Sequence, residues 1–187
     1  MSPRAPRTGD GPRRRASGHG ADGRLGRPAA CGVLTVSDTR RGARDLSGDL
    51  IERLVTRAGH RVVTRAWVKD EPAAIRRAAR AALARRDLDV LVVTGGTGLA
   101  RRDLTPEALG PLADRALPGF GELFRVLSLE QVGAAAWLSR AAAFVARGRL
   151  VVLLPGSRGA VQLALGKLLL PELGHALRML GRRPGKD

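Results

Sequence analysis

The sequence predicts a single α/β domain, a three-layer α/β/α sandwich around a mostly parallel central sheet. Short apolar runs, typical of buried parallel strands, alternate with longer segments that repeat apolar residues at helical spacing. Two of these runs end directly in glycine-containing turns, as expected where strands of an open α/β sheet reach a ligand-binding edge. Hydrophobic residues make up 44% of the 187 residues, enough to bury one ordinary core. We assign residues 29–180 to this domain.

The two ends of the chain have a different composition. Residues 1–28 are rich in Arg, Gly, Pro and Ser, with Leu25 as the one large aliphatic side chain. This composition predicts a disordered basic tail. A transit peptide is the alternative, but the prolines and two aspartates argue against an amphipathic helix. Residues 181–187 are interpreted as a polar C-terminal tail.

Composition also limits the compartment and the partners. A single cysteine, Cys31, excludes an intrachain disulfide and fits a reducing cytosol, so we expect a cytoplasmic protein. No apolar run approaches the roughly 20 residues that span a bilayer, so no membrane partner is expected. The net charge is +16, but arginines are scattered among alanines, aromatic residues are 3% and tyrosine is absent. We therefore expect no specific nucleic-acid partner.

The first half of the domain predicts strand, helix, strand and helix in turn. Residues 32–37 form the first strand, and the helix after it stops at Gly59, in the usual C′ position. Residues 62–68 form a second strand, in which Arg65 favours a position near the sheet edge. The helix after it extends through residues 72–85. The predicted buried stripe of the first helix consists of Leu46, Leu50, Leu54 and Ala58, widened by Ile51 and Val55.

The central strand, residues 90–93, runs straight into the glycine-rich turn 95–98. Such a turn permits positive φ and can aim backbone amides at an anion, usually a phosphate. On its own the turn is also consistent with a tight bend and nothing more. Arg102 and Asp103 follow, and Thr105 is predicted to be the N-cap of the next helix, with proline at its first position. Because Thr105 would serve as the cap, Asp103 has no evident structural duty.

A second turn of this kind follows the apolar strand 150–154. It consists of Pro155, Gly156 and Ser157, and Ser157 is placed to cap a helix that extends through Leu170. Alone, this pattern would favour a plain strand-to-helix turn. Two such turns on one sheet edge instead suit a reaction between two phosphate-bearing molecules, because free amides and the helix dipole favour anions.

Two aspartates are expected at the same edge. Asp70 follows the second strand and Asp103 follows the central one, although Asp70 is also a good candidate for a helix N-cap. Two neighbouring carboxylates repel each other unless a cation lies between them, and Mg²⁺ accepts one or two carboxylates plus substrate phosphates. The pair therefore suits Mg-ATP.

Other chemistries have little support. The three histidines and one cysteine lack zinc-ligand spacing, and His60, beside a turn, is expected to be an exposed loop residue. There is no G-x-S-x-G serine and no Gly-Lys-Ser/Thr ending to the glycine-rich turn.

The string GGTGLARRDLTPEAL resembles the signature of the molybdopterin-binding family, the MogA/MoaB-like adenylyltransferases of molybdenum cofactor synthesis. PGFGELFR and LSRA extend the resemblance, which covers about residues 30–178. In the family, the aspartates that match Asp70 and Asp103 are associated with catalysis. One departure is Arg158, which follows Ser157 where many members carry proline.

The resemblance implies transfer of AMP from Mg-ATP to the terminal phosphate of molybdopterin, with release of pyrophosphate. It implies a homo-oligomer, a trimer or a hexamer. A non-catalytic molybdopterin-binding or carrier protein of the same fold is the alternative. Asp70 and Asp103 are the predicted catalytic and Mg²⁺-binding residues. The predicted substrate and phosphate contacts are Ser37, Gly95, Gly96, Thr97, Gly98, Arg102, Ser139, Pro155, Gly156 and Ser157.

Overall fold

The computed structural model describes residues 27–38 and 45–181. Apart from Arg27, Pro28 and Gly181, the two predicted tails lie outside these residues. The strands are β1 Ala30–Val36, β2 Arg61–Val68, β3 Val90–Thr94, β4 Arg115–Ala116, β5 Ala142–Ala146 and β6 Arg149–Leu154. The helices are α1 Leu46–Arg57, α2 Pro72–Ala84, α3 Thr105–Leu109, α4 Pro118–Val132, α5 Arg158–Leu163 and α6 Leu170–Met179.

Three shorter helical segments complete these elements. A 3₁₀ turn, Gly110–Leu112, extends α3, and a 3₁₀ segment, Gly133–Leu138, follows α4. The π-helical stretch Ala164–Leu169 joins α5 to α6, so one continuous helical segment follows β6.

The six strands form one sheet in the order β2-β1-β3-β6-β5-β4. β2, β1, β3 and β6 are mutually parallel, while β5 pairs antiparallel with β6 on one side and with β4 on the other. The predicted mostly parallel sheet is therefore confirmed, and β2, which carries Arg65, lies at its edge. β4 and β5 were not predicted from the sequence. β4 has two residues and β5 is AAFVA, so neither carries the β-branched run that distinguishes the other strands.

Helices cover both faces of the sheet, which confirms the three-layer arrangement. Alternate residues of β3 enter different cores, because successive side chains of a strand point to opposite faces. Val90 and Val92 pack with α1, α4, α5 and α6, whereas Leu91 and Val93 pack with α2 and α3. β6 divides in the same way. The buried β3 and β6 thereby place their carboxyl ends side by side.

The buried stripe of α1 differs from the predicted one. Leu46 is 51% exposed, and the fully buried positions include Ser47, Ile51 and Val55. The helix is rotated because its cap turns inward: Asp45 accepts a hydrogen bond from the Gly48 amide, and Ser47 Oγ donates to the Gly156 carbonyl. Ser47, which contacts the β6–α5 turn, is therefore buried where the apolar spacing predicted Leu46.

An ion pair between Arg27 and the buried Asp89 lies at the amino ends of the parallel strands. Both carboxylate oxygens of Asp89, which is fully buried, accept from Arg27, at 2.7 and 2.9 Å, and one also accepts from the Ala30 amide. His60 lies beside this pair. It is half-buried rather than exposed, because its Nδ1 accepts from the Ala29 amide at 3.2 Å. Burial lowers the pKa of His60, against the attraction of Asp89.

Within residues 27–38 and 45–181, none of the helices combines the length and apolar character that crossing a membrane requires.

Candidate functional site

The carboxyl edge of the parallel strands surrounds a cavity of about 510 Å³. All twelve residues predicted for the site line it, which brings the ends of β1, β2, β3 and β6 together with the segment after α4. Four further lining residues were not predicted. They are Val36, Asp38, Ala135 and Leu138. Asp38 had a sequence signal, since it directly follows Ser37 at the end of β1.

The glycine-rich turn after β3 requires glycine at two positions. Gly95 has φ +101° and Gly96 has φ +64°, both in the region that side chains rarely adopt. A β-carbon on Gly96 would overlap Thr105 Oγ1 and lie 2.9 Å from the carboxylate oxygens of Asp70. The close approach of Asp70 to this turn therefore depends on the missing side chain.

Three successive carbonyls of this turn are held by donors from the protein. Thr105 Oγ1 donates to the Gly95 carbonyl and the Thr105 amide to the Gly96 carbonyl, both at 2.9 Å. Arg140 Nε donates to the Thr97 carbonyl at 3.4 Å. In a trans peptide the next amide points the opposite way. The amides that follow these carbonyls, those of Gly96, Thr97 and Gly98, therefore point away from Thr105 and Arg140.

These three amides have no hydrogen-bond acceptor in the part of the chain that the structure describes. Their residues line the cavity, and successive backbone amides without an acceptor in the described protein are groups that can bind an anion. The geometry therefore favours an anion-binding role for the glycine-rich turn over a tight bend with no further function.

Two predictions about this segment are wrong. The N-cap position of α3 is Leu104, not Thr105, whose side chain and amide instead bind the glycine-rich turn. Asp103 does have a structural contact, because its Oδ2 accepts from the Ala100 amide at 3.0 Å. The Thr105 contacts depend on how the glycine-rich turn folds back over α3, whereas the Asp103 contact is a local turn within residues 100–103.

The turn after β6 lies directly beside the first one. Ser157 accepts from the Ala160 amide at 3.2 Å, which confirms it as the cap of α5. The carbonyls of Pro155 and Gly156 are held by the hydroxyls of Thr94 and Ser47, at 3.1 and 2.8 Å. By the same trans-peptide argument, the Ser157 amide points away from Ser47.

The two turns are also bonded to each other. The Gly95 amide donates to the Leu154 carbonyl at 3.0 Å, and a β-carbon on Gly156 would lie 3.5 Å from Gly95 Cα. The two turns therefore form one continuous floor of the cavity.

Asp70 and Asp103 meet at this floor. Asp70 is half-buried, its Oδ1 accepts from the Leu104 amide at a long 3.5 Å, and its own amide donates to Asp38 Oδ1 at 3.1 Å. Burial raises the pKa of Asp70, the negative charges of Asp103 and Asp38 raise it further, and the Leu104 amide and Arg102 oppose the shift. Asp70 is not a helix cap, because α2 has Glu71 at its N-cap position, without a side-chain bond.

A cation would relieve this repulsion, but the described residues include no group of three His, Cys, Asp or Glu side chains arranged to hold a metal ion. The protein alone therefore does not complete a coordination sphere. Mg²⁺ usually keeps several waters and takes one or two carboxylates plus substrate phosphates. The carboxylates of Asp70 and Asp103 fit a magnesium ion of that kind.

Comparison with known proteins gives the family. The sequence profile of a family described as "Probable molybdopterin binding domain" matches residues 32–175. The chain belongs to this family. Molybdenum cofactor biosynthesis protein B of Bacillus cereus is 46% identical to it over 154 residues, which cover 82% of this chain and 91% of that protein.

Solved structures of the family agree with the fold. A crystal structure of molybdenum cofactor biosynthesis protein B is 44% identical, covers 84% of this chain and 98% of its own, and superimposes with a TM-score of 0.81. The tungsten cofactor synthesizing protein MoaB from Pyrococcus furiosus is 38% identical, with coverages of 83% and 98% and a TM-score of 0.71. The predicted resemblance is thereby confirmed.

Arg140 does not line the cavity but contacts two residues that do, Thr97 and Asp103, and it was not among the predicted site residues. It follows Ser139 in the LSRA string, so its place in a shared motif was the available signal. Its guanidinium contacts the Thr97 and Asp103 carbonyls and the Glu107 carboxylate, all of which belong to the segment after β3. These contacts depend on the fold of β5, which the sequence did not predict.

Proposed function

We propose that this chain acts in molybdenum cofactor biosynthesis by transferring AMP from Mg-ATP to the terminal phosphate of molybdopterin. Membership of the molybdopterin-binding family supports the pterin substrate. The observation that carries the proposal is the single cavity in which the amides of residues 96–98, the Ser157 turn and the carboxylates of Asp70 and Asp103 meet. Such a cavity suits two phosphate-bearing molecules and a cation.

In the proposed reaction, an oxygen of the molybdopterin phosphate attacks the α-phosphorus of ATP. The bond from that phosphorus to the α,β-bridging oxygen breaks, and pyrophosphate leaves with the electron pair. Because the substrate phosphate is itself the nucleophile, no activated side chain is needed, and the protein acts by positioning and charge stabilisation.

Each group of the cavity has one part in this scheme. The amides of Gly96, Thr97 and Gly98 bind phosphate oxygens, and the turn of Gly156 and Ser157 binds the second anion. Asp70 and Asp103 would hold Mg²⁺ together with phosphate oxygens, and the ion would neutralise charge on the nucleotide. Arg102 lies close enough to Asp70 to affect its pKa and supplies a further cation at the cavity wall.

Pyrophosphate release from Mg-ATP in the presence of molybdopterin tests the proposal. We expect release that requires molybdopterin, ATP and Mg²⁺ together, with adenylyl-molybdopterin as the second product. Parallel reactions omit each component in turn. Tight molybdopterin binding without pyrophosphate release would contradict the transferase and indicate the pterin carrier instead.

We also propose that the protein is a homo-oligomer and that copies meet through α4 and the 3₁₀ segment after it. This surface exposes several large apolar side chains on one helix and the segment that follows it, and an exposed apolar patch of this kind points to a protein interface. They are Leu123, Val126, Leu129, Val132 and Trp137, exposed between 53% and 72%.

The native mass tests this interface. We expect an oligomer, a trimer or a hexamer, that Val126→Asp dissociates. Met179→Asp is the matched control, because Met179 is a similarly exposed apolar residue, at 76%, on a different helix, α6. A monomeric wild-type protein, or dissociation by the control alone, would contradict the proposal.

A further inference from the structure

Arg140 connects two walls of the cavity through backbone groups. It follows Leu138 and Ser139, which line one wall. On the other wall its Nε donates to the Thr97 carbonyl, and its terminal nitrogens donate to the Asp103 carbonyl and to the Glu107 carboxylate. One planar guanidinium thus bonds the glycine-rich turn, the residue that follows Arg102 and the helix α3.

The contacts of Arg140 indicate that it acts through other residues. Arg140 does not line the cavity, and all three of its bonded partners are acceptors of the protein itself. Its positive charge is already paired with the carboxylate of Glu107. These contacts therefore favour a role for Arg140 in directing the main chain over a role in attracting anions through its charge.

The bond to the Thr97 carbonyl, at a long 3.4 Å, restrains the peptide that ends in the Gly98 amide. While the Thr97 carbonyl accepts from Arg140, the trans peptide points the Gly98 amide the other way. The bond to the Asp103 carbonyl likewise restrains the main chain from which the Asp103 carboxylate extends. The guanidinium suits this task because its donors are held in a rigid plane, which the single flexible ammonium of lysine does not reproduce.

We propose that Arg140 is a positioning residue that holds the Gly98 amide and the Asp103 carboxylate in place for a phosphate-bearing ligand. The inference deepens the proposed function and rests on it for the identity of the ligand. It predicts that the fork of donors, and not the charge, is required.

The test compares ligand affinity with stability in four proteins: the wild type, Arg140→Lys, Arg140→Ala and the control Arg76→Lys. Arg76 is the matched control, because its Nε also donates to a main-chain carbonyl, that of Ala108 in α3, at 3.1 Å, and it does not line the cavity. Calorimetric titrations with inorganic pyrophosphate, without metal, and with Mg-ATP give the dissociation constants. Thermal unfolding without ligand gives the stability.

We expect both Arg140 variants to bind pyrophosphate on the order of tenfold more weakly than the wild type, the loss expected when one hydrogen bond from a backbone amide to a charged ligand is no longer made. Arg76→Lys should bind pyrophosphate within about twofold of the wild type, although its melting temperature should fall about as much as that of Arg140→Lys. Wild-type affinity in Arg140→Lys, with a loss only in Arg140→Ala, would show that charge suffices and overturn the proposal. Unchanged affinity in both variants with lowered melting temperatures would reduce Arg140 to a stabilising residue and also overturn it.

The same titrations separate this inference from the transferase. Wild-type protein that binds pyrophosphate and loses affinity on Arg140→Lys, yet releases none from Mg-ATP and molybdopterin, would refute the reaction and support the positioning role. Wild-type protein that binds neither pyrophosphate nor Mg-ATP would refute both.

Discussion

The amino ends and the carboxyl ends of the parallel strands, here called the amino edge and the carboxyl edge, each place an aspartate next to the main chain. The two aspartates have opposite surroundings. Asp89, at the amino edge, is fully buried and bonded to Arg27 and to the Ala30 amide. Asp70, at the carboxyl edge, has one long bond from the Leu104 amide and faces the negative charges of Asp103 and Asp38. The same residue type stabilises the fold at one edge and costs stability at the other.

The difference shows where the molecule tolerates unsatisfied groups. At the amino edge, the hydrogen bonds of the Asp89 carboxylate and the His60 ring are made within the protein. At the carboxyl edge, three amides lack acceptors in the described part of the chain, and a carboxylate has a raised pKa. Such groups are typical of sites that a ligand completes.

The largest effect should come from Asp103→Asn. We expect adenylyl transfer to fall by on the order of a hundredfold or more, comparable to the loss of one preorganised electrostatic group. Asparagine can still accept from the Ala100 amide, so the turn should keep its shape and the melting temperature should change little. The measurement is turnover with saturating Mg-ATP and molybdopterin. Unchanged turnover would remove Asp103 from the mechanism.

Asp89→Asn is the matching change at the other edge. We expect unfolding to become easier by roughly 2–3 kcal/mol, because a buried ion pair loses one partner while Arg27 remains partly accessible to water. Denaturant unfolding gives the free energy, and a Mg-ATP titration serves as control. A changed affinity with unchanged stability would contradict the assignment of Asp89 to the fold alone.

Asp70→Asn should raise the stability of the ligand-free protein slightly at neutral pH. The pKa of Asp70 is higher in the folded than in the unfolded protein, so its ionisation opposes folding. The advantage of the variant should be absent below the unfolded pKa and complete above the raised one. Melting temperatures of both proteins between about pH 3 and pH 8 test this. A lower melting temperature of the variant at pH 8 would show that Asp70 stabilises the fold.

The smallest effect should be a loss of stability in mild acid that depends on His60. Burial lowers the pKa of His60 below its ordinary value of 6.5, so the neutral ring is favoured in the folded state. Its contribution is present above that value and is lost as the pH falls through the folded pKa. His60→Gln keeps an acceptor without titrating, so the difference in melting temperature between the two proteins should change below about pH 6.5. A difference independent of pH would exclude His60 as the titrating group.

Much of this architecture was predictable because its signals are local. The apolar run before Gly95 and the Ser157 cap lie within a few residues of the features they predict, and both are confirmed. Other features depend on distant partners. Thr105 was predicted as a cap but donates to the Gly95 carbonyl, and Arg140 bonds Asp103, 37 residues away in the chain. Neither role can be predicted from spacing along the chain. The roles of Asp70 and Asp103 in catalysis stay predictions.

The most direct test of the shared site is the Mg²⁺ dependence of ATP binding in the wild type and in the double variant Asp70→Asn/Asp103→Asn. We expect Mg²⁺ to strengthen ATP binding in the wild type and to have little effect in the double variant, while both proteins bind pyrophosphate without metal through the amides of residues 96–98. An equal gain in ATP affinity from Mg²⁺ in both proteins would show that the two carboxylates do not hold the ion, and would contradict a shared magnesium and nucleotide site.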